Sequence, residues 1–298
     1  MIKRIIDISK PSYLRIKLDQ LIIEQNKVVA GQLPVEDIGI LILEHPAIVV
    51  TQSVVVACQK NNIALVFCDT HHLPCSIVLP ITNANSLHSK ILRKQIEVTQ
   101  VRRKQIWQQI VKQKILQQSH TLSLFNKEYK GIRQLAANVK SGDKENHESQ
   151  AAQKYWRLLF GDRFRRDAAL EGINALLNYG YAIVRAMIAR AVVGGGLHPS
   201  LGIHHHNQYN GLNLADDLME PFRPWVDQLV FQLSKQEKLK IEKDTKKIFL
   251  ALPGKQVIYN KNRMPLMVSC HYLIADLKRA FQEKTELQFP ILEKQLLC

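Results

Sequence analysis

Glu148, the run His204-His205-His206 and the group Asp216-Asp217-Leu218-Met219-Glu220 are the residues of this 298-residue chain whose types could do chemistry together. Carboxylates and imidazoles drawn from separate segments are suitable ligands for a divalent cation that activates phosphoryl chemistry. Each patch also has an ordinary explanation. Glu148 opens the helical stretch Glu148-Ser149-Gln150-Ala151-Ala152-Gln153-Lys154-Tyr155-Trp156, where the N-terminal dipole favours a carboxylate. Three adjacent histidines cannot all face one point, so one or two of them at most serve a single site and the rest face solvent or nucleic acid. Asp216/Glu220 at i, i+4 and Asp217/Glu220 at i, i+3 share helical faces, which costs energy unless a cation lies between them. An N-capping aspartate beside a surface glutamate would explain the same residues.

The elements that must position these patches follow from periodicity. Helical sequence runs from about 148 to 160 and ends near Gly161-Asp162. A long apolar segment through Leu176, Ile183, Met187 and Val192 reads as a buried core helix that Gly194-Gly195-Gly196 stops. Helix resumes near Asp216 and continues to Leu233, with Pro221 and Pro224 confined to a first turn or a kink. Met264 to Phe281 reads as a last amphipathic helix, and Ser86 to Leu124 carries an apolar stripe with lysines and arginines in the gaps. The first 80 or so residues are different: short alternating strands, the apolar run Ile38 to Leu43 suited to a strand covered on both faces, an amphipathic helix over about 51 to 60, and a further strand at Ile63 to Cys68. The fold class is therefore α+β, with a β-rich N-terminal domain over 1–83 and a larger α-helical domain over 84–298.

Charge is unevenly placed. Net charge is +15, but residues 1–89 carry seven basic and seven acidic side chains, whereas residues 90–140 carry twelve basic ones against Glu97 and Glu128 alone. That local excess of +10, immediately before Glu148, points to a polyanionic partner, most simply nucleic acid. The sequence offers no run of about 18 apolar residues for a membrane span and no secretory signal at its start, so the cytoplasm is the expected compartment. Cys58, Cys68, Cys75, Cys270 and Cys298 are odd in number and widely spaced, and read as buried free thiols. Cys68, Asp69, His71, His72 and Cys75 lie close together but lack paired CxxC or HxxxH spacing, so they read as a polar loop after a buried strand.

Glu148-x-x-Ala151-Ala152-x-x-Tyr155-Trp156, then Gly196-x-His198-Pro199-x-x-Gly202-Ile203-His204-His205, then Leu214-Ala215-Asp216-Asp217-Leu218-Met219-Glu220-Pro221-Phe222-Arg223-Pro224 resemble the CRISPR-associated endonuclease/integrase of spacer acquisition, in its type II-like form. Val35 to Ile40 and Asn61 to Asp69 resemble that family's N-terminal domain. The resemblance implies a β-rich dimerisation domain before an α-helical catalytic domain, and Glu148, His205 and Glu220 as both catalytic residues and ligands of Mg²⁺ or Mn²⁺. His205 is the fourth residue of the family's Gly-hydrophobic-variable-His motif, here Gly202 to His205. Asp217 is implied as an auxiliary acidic group, with Asp216 a weaker candidate.

The implied reaction is metal-dependent transesterification: a 3′-hydroxyl of a short duplex attacks a repeat phosphodiester, inserting a spacer into a CRISPR array. The implied partners are double-stranded DNA, a second copy of the chain, and a small ferredoxin-like adaptation protein that completes a hetero-hexamer, with a DNA-end-binding ring protein and the RNA-guided effector nuclease as further participants. Lys90, Arg93, Lys94, Arg102, Arg103, Lys104, Lys112 and Lys114 are the expected phosphate contacts as a group, and Arg223 is placed to hold a phosphate beside the metal or to pair with Asp227. A non-catalytic nucleic-acid scaffold and a metal-dependent hydrolase of small substrates are the competing classes.

Overall fold

The computed structural model describes residues 3–70, 73–81, 84–167 and 169–292. The N-terminal part comprises β1 (Arg4–Ile8), β2 (Tyr13–Lys17), β3 (Gln20–Gln25), β4 (Val28–Pro34), β5 (Ile38–Leu43), β6 (Val49–Val50), α1 (Gln52–Lys60), β7 (Ala64–Cys68) and β8 (Pro74–Val78). They form two four-stranded sheets, ordered β1-β5-β7-β8 and β4-β3-β2-β6. Leu18-Asp19 and Asn26-Lys27 make the two-residue hairpin turns, both residues of each at positive φ, a geometry that matches strand twist.

Every residue of β5 is buried, as its unbroken apolar run requires. Leu41 and Leu43 of β5 join Leu65, Leu14, Leu21, Val54 and Cys58 in a core between the two sheets and α1, while Ile40, Ile42, Ala64 and Val66 belong to the core of the helical body. One sheet thus serves two cores. Gly39 is the extra residue where pairing steps from Arg4↔Ile38 to Ile5↔Ile40. A Cβ there would lie 2.8 Å from the Met267 sulfur, so glycine lets the C-terminal helix approach the strand.

The helical part runs α2 (His88–Ile96), α3 (Gln100–Leu124), α4 (Lys130–Asn138), α5 (His147–Phe160), α6 (Ile173–Gly194), α7 (Asn213–Met219), α8 (Arg223–Lys235), α9 (Lys243–Ala251) and α10 (Leu266–Gln282). It also holds a small antiparallel sheet that periodicity did not suggest, β10-β9-β11, from β9 (Gln256–Tyr259), β10 (Asn262–Pro265) and β11 (Ile291–Leu292). The basic stretch divides into α2 and α3, with Thr99 capping α3 through its hydroxyl. α6 is the buried core helix that the apolar segment leads one to expect: it is long and apolar enough by length and composition to cross a membrane, but 83% of its apolar window is buried, against α7, α8, α9, α10 and β7. Cys58 and Cys270 are buried free thiols, but Cys68 is half-buried and Cys75 exposed; Cys298, His71 and His72 lie outside the described residues.

Asp227 of α8 ties this body together. Its carboxylate accepts the hydroxyls of Tyr155 from α5 and Tyr181 from α6, at 2.9 and 2.5 Å. Burial pushes Asp227 up to about 7, and the tyrosine hydrogen bonds and the Arg223 and Lys114 charges offset that only in part. The folded value stands above the ordinary 3.8, so the stabilisation from its proton is complete below 3.8 and lost as pH rises through about 7. Thermal unfolding should find wild type losing stability between about pH 4 and 7 relative to Asp227→Asn, which has no charge to bury. Parallel pH profiles for the two proteins would contradict this.

Candidate metal centre

The centre is built on one face of α3. Trp107 and Lys114 are seven residues apart, about two turns, and so lie above one another on the helix. Glu148 reaches this face from the first turn of α5. Asp143 supplies the cap there, accepting the His147 and Glu148 amides at 2.9 Å each, so Glu148 is released from capping duty. Its Oε1 lies 2.6 Å from Lys114 Nζ.

Glu220 comes from the short 3₁₀ turn Glu220–Phe222, where Pro221 bends the chain between α7 and α8. Its Oε2 lies 2.5 Å from the same ammonium, and its Oε1 2.7 Å from Arg223 Nε. The Lys114 ammonium is thus the neighbour of Glu220 Oε2 as it is of Glu148 Oε1, so one cation bridges the two carboxylates. Burial pushes Glu220 up, but the Arg223 and Lys114 charges outweigh it and hold the carboxyl down at about 2. Arg223 packs over the Tyr181 ring at 4.7 Å and pairs with Glu220, while Asp227 is taken by the two tyrosines.

Asp217 organises the histidine loop. Fully buried, it accepts the amides of Ile203, His204 and His205 at 2.5, 3.0 and 3.1 Å, and its Oδ1 lies 2.6 Å from His205 Nδ1. In the tautomer that donates from Nδ1, His205 keeps the Nε2 lone pair free. The Asp217 hydrogen bond raises the His205 pKa, whereas burial lowers that of His204. His204 lies flat on Trp107, with ring centroids 4.3 Å apart, and His205 meets the same indole edge-on at 5.8 Å. His206 is exposed. A Cβ at Gly202 would meet the His205 carbonyl at 2.3 Å, so the tight loop needs glycine there. Arg103 donates to the Gly202 carbonyl at 2.9 Å, and Gln95 bonds His198 and Leu201 on the same loop.

Glu148 and Glu220 therefore meet across one ammonium, and His205 is held nearby with both glutamates acting on it through space. Among the described residues no three His, Cys, Asp or Glu side chains converge closely enough to hold a metal as they stand. The donor set nonetheless fits a divalent cation: two carboxylates that already share one cation, beside an imidazole fixed by a carboxylate. Asp217 is consumed in orienting the loop, and Asp216 in a two-point pair with Arg185 at 2.6 and 2.8 Å.

The basic group separates sharply. Lys90, Arg93, Lys94, Lys104 and Lys112 are exposed. Arg102 instead clamps the Ala280 and Thr285 carbonyls at 2.5 and 2.7 Å, Arg103 holds the histidine loop, and Lys114 lies inside the centre. Lys130 and Arg133 of α4, outside the expected set, join Lys112 and Tyr129 around a groove of about 560 Å³. Periodicity along α4 could have found them.

The whole-chain fold is shared with solved structures. It superposes on a casposase bound to integration product with TM-score 0.79 at 18% identity, covering 100% of this chain and 96% of that one. It superposes on a chain of a Cas6-RT-Cas1–Cas2 complex with TM-score 0.73 at 16% identity, covering 95% of this chain and 35% of that one. The family model for CRISPR associated protein Cas1 matches residues 7–262. The chain is 38% identical over 231 residues to the CRISPR-associated endonuclease Cas1 of Neisseria meningitidis serogroup C (strain 8013), covering 77% of this chain and 75% of that protein. The chain belongs to the CRISPR-associated Cas1 family, and the Neisseria match is consistent with its type II-like character.

Replacing Asp217 by asparagine puts an amide N–H₂ among three backbone donors and the imidazole. Urea denaturation should give a loss of roughly 2–4 kcal/mol, since each hydrogen bond to the charged group contributes about 1.5–3 kcal/mol. A loss below about 0.5 kcal/mol, the range of ordinary surface changes, would contradict the role given to Asp217.

Proposed function

We propose that the chain is a divalent-metal-dependent DNA integrase and endonuclease that inserts short foreign DNA into a CRISPR array. The observation that carries this reading is the meeting of Glu148 and Glu220, 72 positions apart, on one partly buried cation site beside a histidine fixed by Asp217. Glu148, Glu220 and His205 Nε2 would hold Mg²⁺ or Mn²⁺. Bound there, such an ion neutralises charge on the phosphoryl group and on the entering or leaving oxygen.

The chain's own residues supply the rest. Arg223 helps keep Glu220 ionised and occupies its Oε1, leaving Oε2 to the cation shared with Glu148. Asp217 and Trp107 hold the imidazole in one orientation. The exposed lysines and arginines of α2 and α3 bind phosphates and position DNA without reading its sequence. The 3′-hydroxyl of the donor then attacks the target phosphodiester; the new P–O bond forms as the bond to the target's own 3′-oxygen breaks. Water in place of the hydroxyl makes the same centre a nuclease.

Double-stranded DNA, a small ferredoxin-like adaptation protein and a hetero-hexameric assembly remain the partner set of this reading. The shared fold with a chain of a Cas1–Cas2 complex supports it. Exposed apolar side chains at Tyr13, Leu18, Val28 and Val49 on the outer sheet support dimerisation through the N-terminal domain.

The test combines the protein, its small partner, Mn²⁺, a repeat-bearing supercoiled plasmid and short 3′-hydroxyl duplexes. Joined product that disappears with Glu148→Ala is the expected result. No joined product with partner binding verified would favour the non-catalytic scaffold, and product that survives Glu148→Ala would overturn the site. DNA-binding isotherms at several salt concentrations provide a second check. Lys112→Ala should flatten the salt dependence by about one unit of slope, whereas Arg102→Ala should lower the melting temperature and leave the slope unchanged. Equal slope changes for both would contradict the division of the basic group.

A further inference from the structure

Lys114 is the feature that the metal reading leaves over. Its ammonium occupies the place between Glu148 and Glu220 that a divalent ion would take. Metal–oxygen bonds to Mg²⁺ or Mn²⁺ are about 2.0–2.2 Å, so an ion bound to those two oxygens would sit in contact with Nζ. Without metal, the two carboxylates are balanced by Lys114 and Arg223, and the group is neutral. A divalent ion added with both cations in place would leave an excess of two positive charges in a buried setting, a strongly unfavourable arrangement.

One of the two cations has to give way, and the geometry selects Lys114. Arg223 is braced against the Tyr181 ring and makes a directed hydrogen bond to Glu220 Oε1. Lys114 has a flexible four-carbon stem and a side chain still 12% exposed, so its ammonium can withdraw from both glutamates without moving the backbone. We infer that Lys114 is a built-in cation that holds the two glutamates together in the metal-free protein and competes directly with the divalent ion for them. It sets the metal affinity of the centre, and loading requires its ammonium to swing out. This rests on Glu148 and Glu220 being metal ligands.

Isothermal titration of Mn²⁺ into wild type, Lys114→Met and Lys114→Gln tests it, with melting temperatures as a second readout. Methionine keeps the length of the side chain without its charge, and glutamine keeps a hydrogen-bond donor between the carboxylates should methionine fail to fold. Both variants should bind Mn²⁺ roughly tenfold or more tightly than wild type. Both should melt lower than wild type without metal and gain more from Mn²⁺, since a tighter ligand stabilises the fold more at equal concentration. Adding Glu148→Gln to either variant should abolish the gain, assigning it to this centre. Affinity equal to or weaker than wild type in the Lys114 variants would overturn the competition and leave the metal reading standing. Failure of all three proteins to bind Mn²⁺ would remove the metal reading and the inference with it.

Discussion

Two carboxylates drawn together inside a protein repel one another, and burial strips away the water that would screen them. A cation between them is the condition for that arrangement to exist. Here the condition is met by Lys114, and much of the helical half can be understood as what brings Glu148 and Glu220 to that ammonium. Asp143 takes over the cap of α5 so that Glu148 is free to turn inward. Pro221 breaks the helical run so that Glu220 leaves α7 on a tight turn, with Arg223 on its second oxygen.

α3 is the common reference for these parts. Trp107 carries the histidine loop, Lys114 carries the glutamates, and Gln117 receives the Trp225 indole N–H from α8 at 3.0 Å. The Asp227–Tyr155–Tyr181 group fixes α5, α6 and α8 against one another one layer further in. β5 and β7 then lend one face to this body and keep the other for the N-terminal core, so the two halves share a sheet.

Much of this was legible in the sequence. The buried strand at Ile38 to Leu43, the helix beginning near Glu148 and the core helix ended by Gly194 all follow from apolar period and breakers, and the structure has them. The type of fold and the family were carried by motif likeness. The roles inside the basic segment were not legible. Lysines and arginines look alike in a charge count, yet each residue turns a helix by about 100°, so Lys112 faces solvent while Lys114, about 200° further round, faces the glutamates. Arg102 and Arg103 likewise find carbonyl partners more than 95 positions away, which no local pattern records. The histidine register illustrates the opposite case. Three identical neighbours are ambiguous as a string, but Asp217 takes one, Trp107 takes another and solvent takes the third.

The central claim is that Glu148, His205 and Glu220 form a single cation centre on the Lys114 face of α3. Anomalous diffraction at the manganese edge from crystals of the protein soaked in Mn²⁺ tests it most directly. The account predicts one strong peak about 2.0–2.3 Å from an oxygen of each glutamate and from His205 Nε2, with the Lys114 ammonium displaced. Manganese bound elsewhere, with Lys114 still bridging the two glutamates, would contradict it.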